Sequence, residues 1–390
     1  MRRSSNRPRY RAENWRCCAT PTSDNLNNRS LCIGIMSGTS LDGADAVLAD
    51  FSEVQPKVLA FSSESYPADL RAELLALNTA GGNEIERSYL AANRLAQVYA
   101  QAAKRCLQDA RVDAADVAAI GCHGQTVRHR PDLAFTVQLN NPALLAELTG
   151  CNVVAEFRSR DIAAGGQGAP LVPAFHEGVF HSADESRVVV NIGGIANLTF
   201  LAPHNPAWGY DCGTGNCLMD GWIAMHQGVS HDENGAWAAT GNVLESLLQR
   251  LTDDPYFASP PPKSTGRDLF NMAWLASRLD GTERPQDVQA TLLALTSKVI
   301  IGDVARNAPS TKRILVCGGG ASNAALMADL AGRFSCGVVE KTDAHGVPTQ
   351  QVEALAFAWF ALRATQRRTV DMTATTGAAH ACVLGATYPA

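Results

Sequence analysis

The chain has 390 residues, more than one hydrophobic core usually serves, so two domains are expected. Its 46% hydrophobic and 18% charged residues describe a soluble globular protein, a net charge of −5 argues against a nucleic-acid partner, and no apolar run approaches a membrane span. The 11 cysteines are scattered without a Cys-x-x-Cys pair, which fits reduced thiols in a cytoplasmic setting better than a zinc site or a disulfide framework.

Residues 1–30 read as a disordered arm, rich in Arg, Ser and Asn and lacking the continuous apolar segment of a signal peptide. The body starts with an alternating strand, Leu31, Ile33 and Ile35, a turn of small polar residues, and a second strand with Ala46 and Leu48 on one face and Val47 on the other. Between them, Ser37-Gly-Thr-Ser-Leu-Asp-Gly43 can aim N–H groups and hydroxyls at one point, as a phosphate cradle does, or simply decorate a hairpin. A third strand is expected at 58–61, a helix from Pro67 to Leu77, and a long amphipathic helix over 86–110 on the spacing of Tyr89, Leu90, Leu95, Val98, Tyr99, Ala102 and Leu107. A buried strand at 117–121 runs into Cys122-His-Gly-Gln-Thr126, the kind of strand end at which ligand groups gather in open α/β sheets. Strands at 135–139 and 153–155 flank a helix starting near Pro142. Residues 157–171 read as a long connection whose two arginines and aspartate suit either an anionic or hydroxylated ligand or a solvated linker.

Residues 187–201 repeat the opening theme of strand, glycine turn and strand. Gly209-Tyr-Asp-Cys-Gly-Thr-Gly-Asn216 then opens a helix over 218–225, with Asn216 as its cap and N–H groups that favour an anion. Asp211 sits just before them, placed either as a reacting carboxylate or as a turn aspartate. Lys263-Ser-Thr-Gly-Arg267 fails as a P-loop because Pro262 stands where glycine is required. An amphipathic helix is expected over 287–305, a buried strand at 313–316, then Cys317-Gly-Gly-Gly-Ala-Ser-Asn323, a helix over 324–331, a strand at 337–339 and a helix over 352–363 with Glu353 in its first turn. Two glycine-turn hairpins and a Gly-Gly-Gly strand–helix junction picture two α/β domains sharing a nucleotide across a cleft.

The motifs Gly34-Ile-Met-Ser-Gly-Thr-Ser-Leu-Asp-Gly43, His123-Gly-Gln-Thr126, Arg160-Asp-Ile-Ala-Ala-Gly-Gly-Gln-Gly-Ala-Pro-Leu-Val-Pro173, Asn191-Ile-Gly-Gly194, Asp211-Cys-Gly213, Lys263-Ser-Thr-Gly-Arg267 and Cys317-Gly-Gly-Gly320 occur in the order seen in one family. From Ile33 onward the chain resembles the anhydro-N-acetylmuramic acid kinases, bacterial sugar kinases of the superfamily that includes actin and the heat-shock ATPases. The resemblance implies an α/β fold of two actin-like (ribonuclease H-like) domains around a nucleotide cleft. Domain I would span 31–155 with 370–390 packing back on it, and domain II 156–369. It implies ATP and Mg2+ as cofactors, cytoplasmic action on a small sugar in peptidoglycan recycling, no membrane, and a homodimer. The implied reaction opens the 1,6-anhydro ring of 1,6-anhydro-N-acetylmuramic acid and phosphorylates O6, with Asp211, at an ordinary carboxylate pKa, as the base.

By the same resemblance, Gly38, Thr39, Ser40, Leu41, Asp42, Gly43, Ala44 and Asp45 hold ATP phosphates, with Asp42 also in the magnesium shell. Gly193 and Gly194 approach the outer phosphates, and Gly318, Gly319 and Gly320 the adenosine. His123, Gln138, Arg160 and Glu353 bind the sugar, Arg160 at its lactyl carboxylate. On residue type alone, a histidine such as His123 is more often a satisfied core or turn histidine, and Glu353 could be merely a favourable helix-start acid. The alternatives are an ordinary sugar kinase of the same fold, which needs no water, and a nucleotide-gated chaperone or filament-type ATPase. A chaperone of this type is expected to carry a substrate-binding domain after the ATPase, whereas this sequence stops at Ala390.

Overall fold

The structure is a computed structural model that describes residues 30–38, 41–261, 263–267 and 269–390. The arm expected at 1–30 therefore lies, but for Ser30, outside the described residues.

The first half runs β1 (Leu31–Met36), β2 (Gly43–Asp50), β3 (Lys57–Ser65), α1 (Ala68–Leu77), α2 (Glu84–Ala110), β4 (Ala119–Cys122), β5 (Gln125–Arg130), β6 (Phe135–Leu139), α3 (Pro142–Thr149) and β7 (Val153–Ala155). The hairpin β1–β2 pairs Ile33 with Leu48 and Ile35 with Ala46. Those four residues pack with α1, α2 and α3, and Val47 and Ala49 face the other side, as their alternation requires. Both faces are buried, however, so β1 is a central strand and not a half-exposed one. Tyr89 and Leu90, counted on the apolar stripe of α2, are exposed.

The second half runs α4 (Phe157–Ala163), α5 (Val172–Phe180), β8 (Arg187–Ile192), β9 (Ile195–Leu201), β10 (Trp208–Thr214), α6 (Cys217–Gln227), α7 (Glu245–Thr252), α8 (Pro255–Ala258), α9 (Met272–Ala276), α10 (Pro285–Asn307), β11 (Arg313–Cys317), α11 (Ala324–Arg333), β12 (Val338–Lys341), α12 (Val352–Thr365) and β13 (Ala386–Tyr388). The connection expected over 157–171 is helical in its first seven residues. Residues 208–214, read only as a lead-in to a helix, form a full strand. The helix α10 was expected to be amphipathic; Val288 to Ser297 is buried without a break, because α6, α7, α11 and β10 surround it. It is also the one described helix long and apolar enough to cross a membrane, but 78% of that window is buried inside the protein.

The two sheets share one strand order. In the first, β3-β2-β1-β4-β7 runs antiparallel, antiparallel, parallel, parallel, and β13 adds to β7 at the edge. In the second, β10-β9-β8-β11-β12 has the same order and the same directions. This duplicated arrangement is the ribonuclease H-like core of the actin-like fold, and the repeat of hairpins read in the sequence is its visible part. Each sheet has its own outer core, and a third core lies between the sheets, where α12 crosses β1, β2 and β4 while α5 lies on β8 and β9 and packs on α12. Gly34 and Gly121 make the α12 crossing feasible: a Cβ on Gly34 would stand 1.8 Å from the Ala354 carbonyl oxygen, and one on Gly121 2.0 Å from that of Phe357.

Candidate active site

Asp211 lies on β10 at a break in its pairing with β9, where the register shifts between Asp211 and Gly213. An extra residue bends a strand and re-aims its side chains. Tyr256 Oη donates to the Asp211 carbonyl at 2.6 Å, and the Thr265 N–H donates to Oδ2 at 3.2 Å. Burial pushes the carboxyl up to about 6, against the pull of the Thr265 N–H and of the Arg158 charge. The ordinary pKa expected from sequence is therefore corrected; Asp211 is still mostly ionised at neutral pH.

Arg158, on α4, is the residue that sequence reasoning missed. Its Nε donates to His123 Nε2 at 2.8 Å and its Nη1 to the Gly168 carbonyl at 2.7 Å. Its charge is felt by Glu353, Asp211 and Asp161. His123 follows β4, with its N–H on the Ile35 carbonyl at 3.0 Å and its ring 4.8 Å from that of Phe357 on α12. Burial first, and the Arg158 cation second, keep this imidazole neutral, and accepting at Nε2 places its proton on Nδ1. Glu353, in the first turn of α12, is raised by burial, opposed by Arg158, raised further by Asp45 and steadied by the Asn191 side chain. One half-buried guanidinium thus acts on Asp211 from the second sheet, His123 from the end of the first and Glu353 from the helix between them.

Of the other sugar-side residues, Gln138 lies on β6 next to Gly124 and donates to Thr136 Oγ1 at 2.7 Å and Thr126 Oγ1 at 3.2 Å. Arg160 is not drawn into this group: its charge acts on Asp161 and on Cys382 near the C-terminus. Two residues apart on one helix, the two arginines face different ways.

On the nucleotide side, Ser37 Oγ donates to the Gly124 carbonyl at 3.1 Å, and Gln125 Nε2 donates to the Gly38 carbonyl at 3.1 Å, which ties the first hairpin turn to the end of β4. Thr39 and Ser40 lie outside the described residues. Leu41 holds a left-handed backbone at φ 59°, which a non-glycine residue adopts only under constraint. Ala44 is buried, and Gly43 lets β2 approach the Glu64 carbonyl, which would be 2.3 Å from a Cβ. Asp45 is raised by burial and held by Ser63.

The turn at Gly193 and Gly194 is braced by α6. The N–H groups of Gly215, Asn216 and Cys217 donate to the carbonyls of Gly194, Gly193 and Gly194 at 3.0, 2.8 and 3.0 Å. These three donors clamp the two turns together, while among the described residues the first-turn N–H groups of Leu218 and Met219 are given to no backbone carbonyl. Gly213 and Gly215 clear space for protein: added Cβ atoms would stand 2.6 Å from a Phe257 ring carbon and 2.3 Å from the Gly193 carbonyl. Asn216 stands at the helix start, but its amide donates to the Ile192 carbonyl at 3.2 Å and caps nothing. Gly318, at φ 79°, lies against Asn191 and Ile192, with Gly319 beside the Asn216 amide and Gly320 on Ile192. The two glycine segments named from sequence therefore adjoin across Ile192.

Asp42 is exposed and 3.3 Å from Arg71, and it faces the first-turn acid of α6, Asp220, whose carboxyl burial raises to about 6. Among the described residues no three His, Cys, Asp or Glu side chains gather as a metal cage. None of the nine described cysteines forms a disulfide.

Duplicated ribonuclease H-like cores with glycine turns are the fold of the actin-like ATPase and sugar-kinase class. The sequence profile of the family "Anhydro-N-acetylmuramic acid kinase" matches residues 30–390. The chain belongs to the anhydro-N-acetylmuramic acid kinase family and is an enzyme of that kinase family. Relatives bearing that name include one from Cupriavidus metallidurans, 54% identical over 368 residues, or 92% of this chain and 97% of the relative. Others are from Bordetella petrii, 55% identical over 92% of this chain and 96% of the relative, and Nitrosomonas europaea, 49% identical over 92% and 99%. Among solved structures, component A of an Acidaminococcus fermentans (R)-2-hydroxyglutaryl-CoA dehydratase is similar at a TM-score of 0.47 and 14% identity, covering 86% of this chain and 98% of that one. A ROK family glucokinase from Streptomyces griseus, in complex with glucose and AMPPNP, reaches 0.38 and 13%, covering 84% and 98%. Likeness this loose fixes no function.

Proposed function

We propose that the protein uses ATP to open 1,6-anhydro-N-acetylmuramic acid hydrolytically and phosphorylate its O6, giving N-acetylmuramic acid 6-phosphate and ADP in the recycling of peptidoglycan. The observation that carries this reading is the desolvated Asp211 carboxylate, set at a strand bulge, held by the Thr265 N–H and within the field of Arg158. A phosphoryl transfer to a free hydroxyl needs a base at that hydroxyl only, whereas opening an internal acetal also needs an activated water.

In the reaction so read, Asp211 takes a proton from water as the water adds to the anomeric carbon, which carries oxocarbenium character. The C1–O6 bond breaks, and the electron pair left on O6 attacks the γ-phosphorus in line as ADP departs. The Arg158 charge favours the ionised form of Asp211 and Glu353 against their burial and fixes neutral His123 by donating to its Nε2. Gln138 and Arg160 remain sugar ligands on family resemblance, Arg160 at the lactyl carboxylate. Gly38 to Asp45 and Gly193–Gly194 take the phosphates, and Gly318 to Gly320 the adenosine. Asp42 is the carboxylate that would reach Mg2+, an ion that keeps most of its waters and needs no protein cage; when bound it supplies positive charge to the phosphates. Resemblance and free thiols support a homodimer working in the cytoplasm, with the domain limits 31–155 and 156–369 given above.

Running the reaction in oxygen-18 water decides the matter. The label is expected on the anomeric carbon of the product, and product without it would point to an ordinary sugar kinase.

A further inference from the structure

The segment Lys263 to Arg267 is the motif to which neither sequence nor family reading gave a task. Three of its members are committed to holding the site together. Lys263 Nζ donates to the Tyr256 carbonyl at 3.0 Å and lies 4.7 and 5.5 Å from the ring centres of Tyr256 and Tyr210. Thr265 gives its N–H to Asp211, and the Gly266 carbonyl accepts the N–H of Phe270 at 3.1 Å.

Arg267 differs. It is exposed, and among the described residues its guanidinium forms no ion pair and no hydrogen bond. Its Nη2 and Nε lie 3.5 and 3.6 Å from the point that a Cβ on Gly194 would occupy. It therefore stands over the bare face of the Gly193–Gly194 turn. Its charge is felt by Cys217 and Asp220 at the start of α6. Three amides of that helix start are already given to carbonyls of the turn, which leaves fewer donors there to meet a polyphosphate. A guanidinium with unused donors presents two parallel N–H groups, the geometry that phosphate oxygens take.

We propose that Arg267 is a phosphate-binding residue, its guanidinium holding the outer phosphates of a nucleoside triphosphate against the Gly193–Gly194 turn. This rests on the reading of that turn as the phosphate site. In phosphoryl transfer the same group stabilises the charge that builds on the oxygens between donor and acceptor. The segment thus joins the two halves of the reaction: Thr265 orients the base, and two residues later Arg267 grips the phosphate.

The test compares binding of AMPPNP, ADP and AMP to the full chain and to Arg267→Ala, Arg267→Gln and Arg267→Lys, with Mg2+ present. Loss of a charge-assisted pair is expected to weaken AMPPNP roughly ten- to hundredfold in the Ala and Gln variants, ADP less, and AMP not at all. Arg267→Lys should recover part of the loss. Melting temperatures should stay at the parent value, since no partner is removed. Unchanged AMPPNP affinity in folded Arg267→Ala, or equal weakening of all three nucleotides, would overturn the proposal. Failure of the unaltered protein to bind any of the three would sink the nucleotide-site reading itself, and this proposal with it.

Discussion

Asp211 is a buried carboxylate whose pKa in the folded state, about 6, lies above its unfolded value. Such a group binds its proton more tightly when folded, so its contribution is most favourable at low pH and is lost as pH rises through about 6. At pH 8 the ionised form therefore costs stability, by up to about 3 kcal/mol at 1.4 kcal/mol per unit. Asn removes the charge and keeps an acceptor for the Thr265 N–H. Asp211→Asn is thus expected to melt above the parent at pH 8, with the gap closing towards pH 4, while turnover falls by about a thousandfold or more. Near-normal turnover would take Asp211 out of the base role. The parent kcat/KM should fall below a pH of about 6 as Asp211 protonates. Arg158 opposes that protonation, so Arg158→Gln should move the acid limb to higher pH and Arg158→Lys should hold it nearer the parent position. An unmoved limb in folded Arg158→Gln would remove Arg158 from the site's electrostatics. Of the two arginines in one helical turn, the sequence motif pointed to Arg160. Which one faces inward depends on the phase of α4, a helix hidden by its glycine-rich sequel, so Arg158 was not legible.

At the level of elements, residues in the opening motif serve packing as much as ligand binding. Gly34 belongs to the phosphate-hairpin signature, yet its lack of a side chain is what lets α12 lie on β1. Gly34→Ala puts a methyl 1.8 Å from a helix carbonyl, with backbone on both sides. Overpacking of this kind is expected to destabilise by about 3 kcal/mol or more, visible as an early thermal or urea transition. A variant that melts with the parent would show that α12 does not press on the sheet. Much of the fold was legible where periodicity was clean: β1 with β2, β8 with β9, and α2. The strand β10 was not, because six of its residues, Gly209 to Thr214, fall in a glycine-rich helix lead-in, and its bulge breaks the alternation. Nor was the all-round burial of α10, since Asp287, Gln289, Thr291 and Thr296 read as a polar face until their partners are seen: Arg284, Asp232, the Leu244 N–H and the Gly215 carbonyl.

At the scale of the whole molecule, the residues proposed to hold ligands are divided between the two sheets. The 37–43 hairpin and His123 belong to the first, while Asp211, Gly193–Gly194, Gly318 to Gly320 and Arg267 belong to the second. Among the described residues, the core between the sheets is built from α4, α5, α12 and the 370–384 segment, and it is apolar and close-packed, which suits rotation about α5 and α12 more than separation. The Asp42 charge from the first sheet's hairpin turn adds to the burial that raises the Asp220 carboxyl of α6, a like-charge repulsion across the two halves that is smaller than the pull of His231 and Arg267. Magnesium and the Arg267 charge, if brought together by a nucleotide as proposed, would offset that repulsion. The lobes should therefore close when nucleotide and sugar are both present, and closure would exclude the waters that otherwise spend ATP without product. Small-angle scattering is expected to show a smaller radius of gyration with AMPPNP, Mg2+ and anhydro sugar than without ligand, and Asp42→Asn should shift the ligand-free profile part of the way. Superimposable profiles in all three states would mean that the lobes are fixed, and that water is excluded by the shape of the standing cleft.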